Sequence, residues 1–200
     1  MKVILDGDGV VFDLEITWIR FASEVLGRRL APTAGREYRF HKRYDITVDE
    51  EIRVWRAFDE HGMWGRVDVF KGAVGQILRL RRAGIHFVMV TGISEDHAQL
   101  RAGQLGNLGV PMPVVGSGYQ PSKLPTLRGM HCEAMVDDRL RCLGDAREAG
   151  IPTRILIDRG TVEPDEPAFE EAATHRANSL LEAGRVLFWL LQQKKRREAR

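Results

Sequence analysis

The apolar run from Met1 to Leu5 gives way without transition to Asp6-Gly7-Asp8-Gly9, and the same design recurs four times along the chain. Ile85–Val90 runs into Thr91-Gly92, and Pro113–Val115 into Gly116-Ser117-Gly118. Ala134–Val136 runs into Asp137-Asp138, and Thr153–Ile157 into Asp158. Short unbroken apolar runs that stop at glycine or an acid fit strands buried on both faces of a parallel sheet. Helical periodicities lie between them. One covers 73–83 and is closed by Gly84; a second covers 94–105, with Ser94 as N-cap and Glu95 and Asp96 in the first turn; a third covers 140–149, closed by Gly150. A longer helical stretch is expected over 168–193, with a break point near Gly184. The alternation predicts an α/β fold, a doubly wound, Rossmann-like sheet of five parallel strands. Ligands of such sheets bind outside the carboxyl ends of the strands.

One segment breaks the alternation. Residues 14–69 hold no buried-strand signal but contain Trp18, Trp55 and Trp64. They read as amphipathic helices over about 15–27 and 48–60, joined by a basic, aromatic, loop-like stretch from Arg36 to Tyr44. The expected organisation is therefore a core of 1–13 and 70–200, with a small helical cap, 14–69, inserted after the first strand.

The 200 residues carry a formal net charge of +2, with 44% hydrophobic and 29% charged residues. That is the balance of a soluble globular protein, with no global field to recruit nucleic acid or membrane. Cys132 and Cys142 lack the spacing of a zinc site or a disulfide framework. No run approaches the roughly 20 apolar residues that span a bilayer. The chain is expected to be cytoplasmic; a homodimer is left open. Lys194-Lys195-Arg196-Arg197 and Arg200 form a basic tail that reads as a solvated, frayed helix end.

Asp6 and Asp8, Thr91, Lys123, and Asp137 with Asp138 would project over one edge of the sheet. Phosphoryl transfer needs such a set. A carboxylate nucleophile is repelled by the phosphate it attacks, and a divalent cation and a lysine offset that repulsion. Clustered carboxylates offer the hard oxygen ligands that suit Mg²⁺. A hydroxyl fixes the phosphate, and a second carboxylate passes a proton to the leaving alkoxide and then activates water. The glycines flanking Asp8 let the backbone turn and approach a ligand closely.

Asp6-Gly7-Asp8-Gly9-Val10 after an apolar strand resembles the first motif of the haloacid dehalogenase-like hydrolase superfamily. Val90-Thr91-Gly92 is similar to its second motif, Lys123 to the loop lysine of its third, and Val136-Asp137-Asp138 to its acidic fourth. The resemblance covers about 1–13 and 70–160. It implies that Asp6 forms an aspartyl-phosphate and that Asp8 is the general acid/base. It further implies Mg²⁺ held by the Asp6 carboxylate, the Asp8 backbone carbonyl and Asp138, with Asp137 in support. Thr91 and the Gly92 N–H would hold the phosphate, and Lys123 would pair with Asp6. Members that dehalogenate lack the second acid, so Asp8 implies phosphatase or phosphotransferase chemistry; the expected activity is a Mg²⁺-dependent phosphatase of a phosphomonoester, with a small phosphorylated substrate as partner. The continuation through Val10-Val11-Phe12-Asp13 and the cap resemble the 5′(3′)-deoxyribonucleotidase-like branch, implying a nucleoside monophosphate.

Several alternatives stand beside this reading. Other phosphometabolites or a polynucleotide end would also suit the site, and a catalytically idle binding or scaffold member would share the fold. Lys71 rivals Lys123 on spacing. Trp18, Phe21, Trp55, Phe58 and Trp64 would either stack a base or build the core of the cap. Arg36, Arg39, His41, Lys42 and Arg43 would either meet a second anionic group or solvate a loop.

Overall fold

The computed structural model describes residues 1–120, 122–161 and 171–199. Six strands form one wholly parallel sheet: β1 (Lys2–Leu5), β2 (His86–Thr91), β3 (Val114–Gly116), β4 (Ala134–Asp137), β5 (Thr153–Ile157) and β6 (His175–Ala177). Their order is β3-β2-β1-β4-β5-β6. The chain builds outward from β1 on one side, then crosses to β4 on the other. The β1/β4 seam is therefore the switch point where α/β sheets open a crevice.

The apolar runs are unbroken because both faces of the sheet are covered. Val3, Leu5, Phe87, Met89, Val136, Ile155 and Ile157 pack into one hydrophobic cluster, while Ile4, Val88, Val90, Met135 and Leu156 pack into a second. Successive side chains of a strand point to opposite faces. The first face is covered by α4 (Ala73–Ala83), α5 (Glu95–Asn107) and α8 (Leu180–Glu198), and the second by α6 (Leu124–Leu127) and α7 (Leu140–Glu148).

The expected doubly wound sheet is present, with six strands instead of five. The missing strand, β6, is a three-residue edge strand of sequence His-Arg-Ala with no apolar run to announce it. It interrupts the stretch read as one helix over 168–193. Residues 168–170 of that stretch lie outside the described residues, and α8 begins only at Leu180, capped by Ser179. Gly184 does not break α8. A Cβ there would lie 1.7 Å from the Gln76 amide nitrogen, so the glycine marks the close approach of α8 to α4. The basic tail continues α8 through Glu198: Lys194 pairs with Glu133 and Lys195 donates to the Ala83 carbonyl at 3.3 Å. Arg200 lies outside the described residues. No helix among the described residues is long and apolar enough to cross a membrane.

Residues 14–69 leave the sheet edge and return beside themselves. Asp13 N–H donates to the Asp68 carbonyl at 2.8 Å and Phe70 N–H to the Val11 carbonyl at 3.0 Å. Between these points lie α1 (Leu14–Leu26), α2 (Phe40–Arg43), α3 (Val48–Glu60) and a 3₁₀ turn, Met63–Gly65. Asp13 caps α1, and Thr47 with Glu50 closes a capping box on α3. The stretch read as a loop thus contains α2, a single turn anchored by buried Phe40.

Aromatic rings hold this segment together. Trp18 stacks on Phe40 with centroids 4.2 Å apart, and Trp55 stacks on Trp64 at 5.7 Å, with Phe58 edge-on to both Trp55 and Trp64. Trp18, Phe21, Phe58 and Trp64 are buried. Between base stacking and core, the structure gives these four rings to the core. Two of the basic residues of 36–43 are likewise spent internally, Arg43 on Glu15 and the Phe40 ring, and His41 on Glu51.

Candidate active site

Three strand ends and one loop lysine meet around the β1/β4 seam. β1 ends in Asp6, whose N–H still donates to the Val136 carbonyl at 2.9 Å. The chain then turns back on itself, with Val11 and Phe12 N–H groups both donating to the Gly7 carbonyl at 2.9 Å. Glycine at position 7 leaves the space beside Thr91, whose Oγ1 would lie 3.1 Å from a Cβ there. Thr91 is buried at the end of β2, and Gly92 follows it exposed to solvent.

Lys123 lies 117 residues from Asp6 in sequence, yet its Nζ donates to Asp6 Oδ1 at 2.6 Å. It also donates to Asp137 Oδ2 at 2.8 Å and to the Val90 carbonyl at 3.1 Å. The sequence shows no helix around Lys123, but the residue precedes the single-turn helix α6, and its own N–H is fixed by Asp145 Oδ2 at 2.6 Å. Lys71 is exposed and lines a pocket with Phe70, Arg159 and Leu180. Between the two lysines, the structure brings Lys123 to Asp6.

Asp137 is wholly buried, and both its oxygens are engaged: Oδ1 accepts from Arg139 N–H at 2.9 Å, Oδ2 from Lys123. Asp138 is partly exposed and faces Gly9. Carboxylate oxygens of Asp6, Asp137 and Asp138 all lie within 4.8 Å of one another.

This crowding shifts their proton affinities. Burial pushes the Asp6 carboxyl up to about 7; the Lys123 ammonium opposes the rise, and the charges of Asp137 and Asp8 add to it. Burial likewise raises Asp138 well above the ordinary carboxylate range, with Asp6 and Asp137 adding to the effect. Lys123 loses solvation but is held well above its usual value by Asp137 and Asp6.

Asp8 stands two residues from Asp6 and makes a different pairing. Its Oδ1 accepts from Arg101 Nη2 at 2.6 Å. Burial raises its pKa, against the pull of Arg101 and Lys123. Arg101 is a site residue that the sequence reading missed. The available signal was an arginine on the buried face of α5, between Ala98 and Leu105. Two further partners were also illegible. Arg159 Nε donates to the Gly9 carbonyl at 2.6 Å, and Arg139 lies over the Tyr38 ring at 4.0 Å.

The donor set suits a hard divalent cation. It is all oxygen, with the carboxylates of Asp6, Asp137 and Asp138 grouped together and Asp8 two residues from Asp6. A Mg²⁺ ion would take two or three of these oxygens and water as its ligands.

No protein-family model matches the chain, and no curated protein matches it. Solved structures do. A haloacid dehalogenase-like family hydrolase from Streptococcus pneumoniae superposes with a TM-score of 0.61 at 18% identity, over 91% of this chain and 95% of that one. CbbY from Rhodobacter sphaeroides, solved in complex with phosphate, gives 0.57 at 19% identity over 92% and 97%. L-2-haloacid dehalogenase from Xanthobacter autotrophicus gives 0.58 at 13% identity over 93% and 97%. The chain has the haloacid dehalogenase-like fold, as the resemblance of its four motifs implied.

Proposed function

We propose that this protein is a Mg²⁺-dependent phosphatase acting on a phosphomonoester through an aspartyl-phosphate. The observation that carries the reading is the second carboxylate. Beside a nucleophile already paired with Lys123 stands Asp8, two residues on, with a raised pKa and a fixed orientation. A site that displaced only a halide would need no proton donor there.

Asp6 attacks phosphorus while the bond from phosphorus to the leaving oxygen breaks, and protonated Asp8 gives its proton to that oxygen. Asp8, now a carboxylate, takes a proton from water as the water oxygen attacks the phosphoryl group, releasing phosphate and restoring Asp6. Lys123 holds Asp6 in line and neutralises charge. Thr91 Oγ1 and the Gly92 N–H orient the phosphoryl oxygens. Asp6, the Asp8 carbonyl and Asp138 would hold Mg²⁺, which when bound supplies Lewis-acid stabilisation of the developing charge. Asp137, saturated by Lys123 and Arg139 N–H, supports the lysine.

Residues 14–69 act as the cap. They reach the site through Tyr38, over Arg139, and through Trp64, whose ring centre lies 5.7 Å from the Arg101 guanidinium. A nucleoside monophosphate is one member of the proposed substrate class. Since Trp18, Phe21, Phe58 and Trp64 are buried in the aromatic core of the cap, base stacking would fall to other residues.

The test is Mg²⁺-dependent phosphate release from p-nitrophenyl phosphate by wild type and Asp6→Asn. Turnover by wild type alone is expected; equal background rates from both would leave a catalytically idle binding protein. A release screen over mononucleotides, sugar phosphates and 3′-phosphorylated oligonucleotides then assigns the substrate.

A further inference from the structure

Arg101 has no exposed surface. A buried guanidinium is costly unless it is paired and hydrogen-bonded. Arg101 Nη2 donates to Asp8 Oδ1 at 2.6 Å, whereas Nε and Nη1 have no hydrogen-bond partner among the described residues. The guanidinium is instead held by rings, with its carbon 4.1 Å from the centre of Phe12 and 5.7 Å from that of Trp64. Phe12 belongs to the turn that follows Asp8, and Trp64 to the helical segment. Arg101 itself comes from α5, 93 residues away from Asp8. Rings on two sides and a helix behind leave the guanidinium little freedom, so its bond fixes the carboxylate that receives it.

Resting on the phosphatase reading, we infer that Arg101 is a positioning residue for the general acid/base. It pins Asp8 through Oδ1 and leaves Oδ2 as the oxygen that exchanges a proton with the leaving group. Arg101 is sealed from solvent, so it acts through Asp8 and not on the substrate. A purely structural ion pair tying α5 to the first loop would use the same bond. The two roles differ in what their loss does to the reaction.

The measurement is kcat/KM of the full-length protein with Mg²⁺ for dinitrophenyl, nitrophenyl and phenyl phosphate, in wild type, Arg101→Met and Arg101→Lys. Dinitrophenolate leaves without a proton, whereas the phenol of phenyl phosphate leaves far faster when protonated. If Arg101 positions the acid, Arg101→Met loses about 100-fold on phenyl phosphate, the lower range of general-acid contributions, and under about 5-fold on dinitrophenyl phosphate. Arg101→Lys recovers part of the loss on phenyl phosphate. A loss of equal size on all three esters overturns the inference and leaves Arg101 a structural residue. Should Arg101→Met melt below the assay temperature, Arg101→Lys carries the same comparison: a steeper dependence on the leaving group supports positioning, and a parallel one overturns it. Phosphate release from none of the esters by wild type would instead sink the phosphatase reading itself.

Discussion

Gly9 and Asp138 share one volume: a Cβ on Gly9 would sit 2.1 Å from Asp138 Oδ2. Gly9 also has a φ of 78°, in the left-handed region. The first acidic motif therefore needs glycine after Asp8 for two reasons, backbone conformation and room for a carboxylate 129 residues away.

Replacing Gly9 by alanine is accordingly expected to act on metal binding. The left-handed conformation costs a side-chain-bearing residue about 1–2 kcal/mol, and the methyl group displaces the Asp138 carboxylate. The Mg²⁺ concentration for half-maximal activity should rise at least about 10-fold, a shift of about 1.4 kcal/mol. An unchanged Mg²⁺ titration for Gly9→Ala would remove Asp138 from the ligand set.

Metal and protons compete for Asp6. Its carboxyl is at about 7 in the folded protein against 3.8 as a free group, so the unfolded chain releases this proton first. The contribution of Asp6 to stability is whole below about pH 4 and is lost as pH rises to about 7 in the absence of metal. Mg²⁺ binds the ionised carboxylate, so the rise in Tm on adding Mg²⁺ should be larger at pH 8 than at pH 5. At about 100 times its Kd the ion contributes about 2.7 kcal/mol, several degrees for a chain of this size. Thermal melts with EDTA or Mg²⁺ at the two pH values give the comparison, and equal shifts would contradict a metal site built on Asp6.

The two adjacent aspartates should separate. Asp137→Ala strips a partner from buried Lys123 and from Arg139 N–H, so it is expected to lower stability by about 3–5 kcal/mol. Asp138→Ala removes a crowded like charge. Its metal-free form at pH 8 should melt no lower than wild type, while turnover and the Mg²⁺ response disappear. Retained activity in Asp138→Ala would transfer the metal role to Asp137.

Lys123→Met leaves Asp6 and Asp137 buried without their cation. A loss of about 3–5 kcal/mol is expected in the metal-free protein, together with loss of activity. Adding Asp6→Asn should return part of that stability, because one of the two carboxylates left without a cation is gone. A double-mutant cycle by urea unfolding reads the coupling, and strictly additive losses would show that the Lys123–Asp6 pair does not act as a unit.

Much of the sheet and of the acidic site was legible because the information is local. Val3-Ile4-Leu5 announces a strand covered on both faces, and the residue after it must lie at the carboxyl end, where ligands bind. Asp6, Asp8, Thr91, Asp137 and Asp138 could thus be placed from the runs before them, as could the cap of α5 from Ser94. Three features were not local. β6 is the three residues His175-Arg176-Ala177, whose strand identity comes only from pairing with β5. Lys123 follows no apolar run, and it reaches Asp6 because Asp145 on α7 fixes its backbone. Arg101 sits on a helical face where periodicity predicts an apolar residue, and its pairing with Asp8 exists only once α5 packs against the first loop. The sequence by itself determined which carboxylates gather at the strand ends, since strand direction and side-chain alternation follow from the chain. Only the tertiary structure decided that Arg101 meets Asp8 and that Lys123 is shared between Asp6 and Asp137, because such pairings depend on how the helices pack, and short-range patterns do not encode that.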